Sequence, residues 1–383
     1  MQPSSVYIHI PFCVRKCAYC DFLSFPNCLG QKDLYVDALC REMRLAPYFF
    51  GKSDVPLRTI YLGGGTPSLL SAEEVKKILT VLSETFGIDA DCEITLEANP
   101  GTVDGEKLRA FREAGVNRLS IGIQSLSDPV LNVLGRIHNA EEARRTIVAA
   151  QEAGFTNLSC DMMLGIPGQN MQDVQKTLSF FLERKIPHVS LYSLILEEGT
   201  PMYSQYQGDI EKYVSQEEDR AMYHYVVDTL KENGFSHYEI SNMGRPGFES
   251  RHNLMYWRAE NYYAFGCGAH YYMGCERGRH AETLDEYLTA LAAAEPQKAA
   301  IYLPEEKLTT EDQKKEFMML AFRTGSGVKG QEFEERFEMT VESAFGEELE
   351  KEIREGLVEK TAEGYCLTEK GFDLANQVFC DYV

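Results

Sequence analysis

The first two hundred or so residues alternate between short β-branched or apolar runs and amphipathic stretches, which restricts the fold more than any other feature of the chain. Val6–Ile10, Thr59–Gly63, Glu93–Ala98, Arg118–Ile123, Asn157–Leu164 and His188–Leu194 read as strands. Asp33–Leu45, the stretch after Ser71, Gly105–Ala114, Ala140–Ala153 and Met171–Arg184 carry helical spacing. Ser71 with Glu74 three residues on forms a capping-box signature. Gly115 and Gly154 fall where helices want a left-handed C-terminal cap. Repeated strand–helix pairs imply a parallel sheet with helical crossovers. About six units fit before residue 200, fewer than the eight of a closed barrel. The pattern predicts an α/β fold with an open, partial (β/α)6 barrel over residues 1–205.

Residues 206–305 are less regular and rich in tyrosine, and they hold Trp257, the single tryptophan. A helix near Gln216–Asn233 and strand-like runs at His237–Ile240 and Ala264–Met273 are expected in this barrel extension. Over residues 306–383 the pattern changes to helices at Asp312–Phe322, Gly330–Arg336 and Val341–Gly356, a short hairpin from Leu357 to Thr368, and a last helix at Gly371–Val378. Helices followed by a hairpin predict a small α+β, winged-helix-like unit.

The net charge of −21 argues against a nucleic-acid partner, which needs a basic face. It also repels anionic lipid head groups. The tail is acidic from Glu332 to Glu352, where a phosphate backbone would be repelled. Eleven cysteines, an odd number, with no apolar leader after Met1, fit a reducing cytoplasm better than a disulfide scaffold. No apolar run approaches the ~20 residues of a membrane-spanning helix.

Cys13, Cys17 and Cys20 lie in HIPFCVRKCAYCDF with C-x3-C-x2-C spacing. Three thiolates can hold a [4Fe–4S] cluster by three irons and leave the fourth open, where the amino and carboxylate groups of S-adenosylmethionine (SAM) would bind. The alternative is a tetrahedral zinc site with a distant fourth ligand. Other polar residues cluster where the predicted strands end: Gly63-Gly-Gly-Thr-Pro-Ser68 after the second, Glu97 at the third, Gln124 at the fourth and Asp161 in the fifth. Loops after the strands form the working face of a parallel barrel. Gly64 and Gly65 allow close backbone approach to a ligand, and equally a tight turn. Arg136 suits bidentate pairing with a carboxylate. Glu97, Gln124 and Asp161 offer partners for ribose hydroxyls or an amino group, or else satisfy strand-end amides.

The cysteine loop resembles that of the radical-SAM superfamily. YLGGGTPS, LEANP, RLSIGIQS, LGRIHN, DMMLGIPGQ, VSLYSLILEEGT, YEISN, HNLMYW and AFGCGAH extend the likeness over most of residues 6–270 to one branch, HemN/HemW. That branch comprises oxygen-independent coproporphyrinogen III oxidases and haem chaperones. The resemblance implies cluster ligation by Cys13, Cys17 and Cys20, and SAM contacts from Tyr7, Gly64, Gly65, Thr66, Glu97, Gln124, Arg136 and Asp161. The oxidases carry a further cysteine two positions past the last ligand, where this chain has Phe22, and a longer N-terminal region. His252-Asn-Leu-Met-Tyr-Trp257 resembles the HNxxYW motif of the chaperones. The resemblance therefore implies haem as cargo, with His252 as candidate ligand, Tyr256 and Trp257 as aromatic walls, and Arg251 and Arg258 facing propionates. It further implies apo-haemoprotein acceptors such as haem-containing respiratory proteins, leaves turnover of SAM open, and speaks against coproporphyrinogen oxidation.

Overall fold

The computed structural model describes residues 2–383. Six strands, β1 (Ser5–Ile10), β2 (Leu57–Gly64), β3 (Ile88–Ala98), β4 (Arg118–Gln124), β5 (Asn157–Leu164) and β6 (His188–Ser193), lie side by side in chain order. All five pairings between them are parallel, with Tyr7 beside Tyr61 and Ser159 beside His188. Val6, Ile8, Ile10, Ile60, Leu62, Leu96, Leu119, Ile121 and Leu158 are buried, as strands covered on both faces require.

The crossover helices pack their apolar stripes on the outside of this sheet. Helix Ala72–Phe86 begins as its sequence predicts: the Glu74 N–H donates to Ser71 Oγ (3.2 Å), and the Ser71 N–H donates to Glu74 Oε2 (2.6 Å). Helix Gly105–Ala114 ends on left-handed Gly115.

The sheet does not close, and each edge carries an addition. Tyr263–Phe265 pairs parallel with β1, while Asn242–Gly244 and Ser236–Glu239 continue antiparallel from β6, giving nine strands. Among the described residues no helix is long and apolar enough to cross a membrane.

The run Ala264–Met273, expected as one strand, is broken. Gly266 and Gly268 adopt φ of +104° and +75°, and a side chain at Gly266 would collide with the Tyr35 hydroxyl and the His9 carbonyl. The chain turns there, and His270–Met273 joins Glu276–Arg279 and Leu303–Lys307 in a separate antiparallel sheet. The turn is anchored from below by Glu42, which is fully buried. Its carboxyl group accepts from the Gly266 N–H (3.0 Å) and the Tyr287 hydroxyl (2.5 Å) and pairs with His280 Nε2 (2.6 Å).

The C-terminal unit has its own core of Phe317, Met318, Phe322, Phe333, Phe345 and Leu349. Helices Thr310–Ala321, Gly330–Phe337 and Val341–Glu355 precede a hairpin, Val358–Lys360 with Gly364–Leu367, to which Val328–Lys329 adds a third strand. The expected last helix is two short ones, Glu369–Asp373 and Ala375–Cys380, because Leu374 leaves the helical conformation between them. This unit docks on the barrel extension through Arg323, stacked 4.6 Å from the Trp257 ring.

Removing one partner of a buried pair costs about 3–5 kcal/mol. Glu42→Ala is therefore expected to destabilise the protein by that order in denaturant unfolding, and to raise hydrogen exchange at Gly266 and Cys267.

Candidate functional site

The chain between β1 and the first long helix, Lys32–Phe50, is the cysteine loop. It is tied down at several points. The Phe25 N–H donates to the Pro11 carbonyl (2.6 Å), the Ala18 N–H to Leu134 (3.1 Å), and the Met202 N–H to the Ala18 carbonyl (2.9 Å). Arg15 donates to the carbonyls of Gly135 (2.7 Å) and Arg136 (3.1 Å). The loop thus lies across the C-terminal ends of the strands and presents Cys13, Cys17 and Cys20 to a cavity of about 310 Å³.

The end of β2 meets this loop at backbone distance. A Cβ at Gly65 would lie 2.7 Å from the Phe12 carbonyl oxygen and 2.9 Å from that of Ile10, and one at Gly64, whose φ is +108°, would run into the His9 ring. Both glycines are required by sterics before any ligand is considered. Thr66, next along, places Oγ1 3.5 Å from Cys13 Sγ.

Strands β3, β4 and β5 and the chain after β4 contribute polar groups to the cavity. Glu97 accepts from the Tyr61 hydroxyl (2.8 Å) and the Gly64 N–H (3.1 Å), and burial pushes its carboxyl up to about 7. Asp161 accepts from Ser120 (3.2 Å), and burial raises it to about 6. Gln124 sits at φ +64°, a strained conformation for a residue with a side chain. Arg136 donates through Nη1 to Cys17 Sγ (3.5 Å) and through Nη2 to the Gly122 carbonyl (2.7 Å) and Asn99 Oδ1. Gln124 Oε1 and Arg136 Nε are buried on this cavity with no partner. A polar ligand with both a donor and an acceptor fits that vacancy in the hydrogen bonding.

Asn99 was not singled out in the sequence. Its Nδ2 donates to Thr66 Oγ1 (3.1 Å), while its Oδ1 takes Arg136, so it couples the glycine turn to the guanidinium. Its place in LEANP, one residue past the end of β3, is the signal that would have found it.

Two expected residues stand elsewhere. Tyr7 bonds His9 Nδ1 (3.0 Å) and lines an adjoining cavity of about 590 Å³ rather than the first. His252, 1 % exposed, reaches neither. Its Nδ1 lies 2.8 Å from Thr59 Oγ1 and its Nε2 3.0 Å from the Tyr256 hydroxyl. Burial drives its pKa down to about 3, so the ring is neutral and both nitrogens are used. It stacks on Tyr61, whose hydroxyl holds Glu97, and so stands one side chain behind the cavity wall. Trp257 faces Arg323, and Arg251 pairs with Asp91, so neither faces either cavity. A third cleft, about 560 Å³, lies between helix Gln216–Glu232 and the C-terminal unit. Two of its acidic residues are already paired, Asp373 with Arg220 and Glu369 with Lys231.

An open parallel barrel with three loop cysteines over its strand ends defines a radical-SAM protein, and the sequence comparisons agree. Residues 7–181 match the Radical SAM superfamily and residues 308–374 the HemN C-terminal domain. The protein named Heme chaperone HemW in Lactococcus lactis is 37% identical over 99% of this chain and 97% of its own. Those of Bacillus subtilis (36% identical, 98% of each chain) and Escherichia coli (34% identical, 97% and 96%) bear the same name. The solved coproporphyrinogen III oxidase (HemN) from Escherichia coli superimposes with a TM-score of 0.84 over 99% of this chain and 90% of that one, at 22% identity, a likeness of fold. The chain belongs to the HemN/HemW family of radical-SAM proteins, among the relatives named haem chaperones.

The site residues fit the cluster and SAM that this family implies. Three cysteines border a cavity whose polar walls have open hydrogen-bonding positions, and burial holds the Cys20 thiol up at about 11, a proton that a metal must displace. Gly65→Ala is expected to push the cysteine loop off the strand ends and sharply lower iron and sulfide content after anaerobic reconstitution. Gly346→Ala, where nothing lies within 4 Å of a new Cβ, is expected to reconstitute as the parent does.

Proposed function

We propose that this protein is a cytoplasmic haem-trafficking protein that binds haem, carries a [4Fe–4S] cluster and SAM, and passes haem to apo-haemoproteins such as haem-containing respiratory proteins. The observation that carries the reading is likeness along almost the whole chain to relatives named haem chaperones, together with Phe22 where the oxidases have a cysteine.

In this reading Cys13, Cys17 and Cys20 ligate three irons. The cluster, when bound, supplies an open iron for the amino and carboxylate groups of SAM. Arg136, fixed by Cys17, Gly122 and Asn99, turns its unpartnered Nε towards the SAM carboxylate. Gly64, Gly65 and Thr66 let the methionyl part lie close to the backbone. Glu97 accepts a hydrogen bond from the amino group, and Gln124 and Asp161 take ribose hydroxyls. Tyr7 lines the adjoining cavity, where its hydroxyl stays protonated because burial raises its pKa. His252 holds Tyr61 and Tyr256 in place from behind.

Two SAM titrations of the reconstituted protein test the site. Loss of a charge-assisted contact costs about 1.5–3 kcal/mol, so Arg136→Ala should weaken SAM binding roughly ten- to hundredfold. Burial raises the Glu97 carboxyl to about 7, and its ionised form is the stronger acceptor for an amino N–H. Affinity should therefore fall as the pH drops below that point, and Glu97→Gln should flatten that part of the profile. A flat parental profile would assign Glu97 to a hydroxyl instead.

The function itself is tested by transfer. Haem-loaded protein is expected to restore activity to an apo-haemoprotein faster than free haem at the same concentration, and to leave coproporphyrinogen III unchanged in the presence of SAM and a reductant. Stoichiometric protoporphyrinogen formation with SAM consumed would make the chain an oxidase.

A further inference from the structure

We infer that the cavity of about 590 Å³ beside the cysteine loop is the haem seat and that His270 is the axial ligand, an assignment that rests on the haem-binding reading above. The size lies within the range of small-molecule sites. Its walls mix polar groups with aromatic faces that a flat ring can lie against. Phe22, 65% exposed, stands on the loop side, and Tyr256 and Tyr262 meet edge to face with centroids 4.8 Å apart on the other.

The available imidazoles decide the ligand. His9 lines the cavity, but Tyr7 occupies its Nδ1 (3.0 Å) and the Leu23 carbonyl its Nε2 (2.9 Å). His252 lies behind Tyr256 with both nitrogens used. His280 is fully buried between the Ala269 carbonyl (2.7 Å) and Glu42 (2.6 Å). The Cys267 thiol is buried and donates to the Ala281 carbonyl (3.1 Å). His270 differs from all of them. Its side chain is 59% exposed on the cavity, and its Nδ1 lies 3.4 Å from Glu305 Oε2, which leaves Nε2 open. A carboxylate next to one ring nitrogen, with the other nitrogen free, is the usual arrangement of a metal-bound histidine. Glu305 is itself held by Arg279 Nε (2.8 Å). Lys16 is the cation on the same cavity, opposed by Asp21 and Glu282, so the propionates would be directed to the Lys16 side.

The test is an anaerobic titration of the full-length, cluster-reconstituted protein with ferric haem, read in the Soret band and by electron paramagnetic resonance. The parent should give a saturable Soret shift with the high-spin ferric signal expected of a single axial histidine. His270→Ala should lose the histidine-ligated Soret position and regain it when free imidazole is added, which shows an intact seat. Glu305→Gln should weaken haem binding about 10- to 100-fold. His252→Ala should keep the parental Soret spectrum. A His270→Ala variant with the parental spectrum and affinity overturns the assignment, and its loss in His252→Ala alone moves the ligand there. A parent that shows no saturable Soret change removes the haem reading itself, so the two failures are told apart.

Discussion

The cysteine loop rests on the end of the second strand with no side chain between the two backbones. Gly65 lies under the carbonyls of Ile10 and Phe12, and Gly64 lies under the His9 ring. Because nothing compressible separates them, the positions of Cys13 and of Thr66 are fixed together. Glu97 extends the same constraint by taking the Gly64 N–H, and Asn99 extends it by holding Thr66 and Arg136. Arg136 in turn reaches back to Cys17. The ring of contacts begins and ends on the loop, so three strands and a guanidinium are positioned by one backbone contact that only glycine permits.

The parallel core and the cysteine site were legible because their signals are local. Strands such as Asn157–Leu164 carry runs of apolar residues, the capping box at Ser71 announces its helix, and three cysteines in eight residues share one loop. What escaped depended on contacts between distant segments. Ala264–Met273 has strand composition throughout, and only the crowding of Gly266 against Tyr35 and His9 shows that it must turn. Asn99 looks like an ordinary strand-end residue until Arg136, 37 positions on, is seen to reach it. A histidine beside tyrosine and tryptophan looks available for a ligand, but the hydroxyl groups of Thr59 and Tyr256 that consume its nitrogens cannot be read from the motif, since Thr59 is 193 residues away.

The buried imidazoles illustrate how a protein interior sorts one residue type into different roles. His9, His188 and His252 are each enclosed, and desolvation lowers the pKa of all three, so they act as neutral hydrogen-bonding struts between strands, loops and helices. His188, for example, joins Ser159 (2.7 Å) to Tyr238 (2.7 Å) and so ties the fifth strand to the barrel extension. The same enclosure that makes a histidine a good strut denies it to a metal. Exposure with one nitrogen braced by a carboxylate, the state of His270, is the opposite arrangement.

A barrel that stops short of closure leaves two unpaired strand edges, which in most sheets invite pairing with another chain. Here both end strands are short: Tyr263–Phe265 on one side and Ser236–Glu239 on the other. Beyond the second, Glu239 bridges to Thr324, the Ile240 N–H donates to the Arg323 carbonyl (3.0 Å), and the Gly325 N–H donates to the Tyr238 carbonyl (2.8 Å). The C-terminal unit thus consumes the backbone groups that this edge would otherwise offer to a neighbour. It acts as a stopper against edge-to-edge aggregation, keeping an open-sided sheet self-contained.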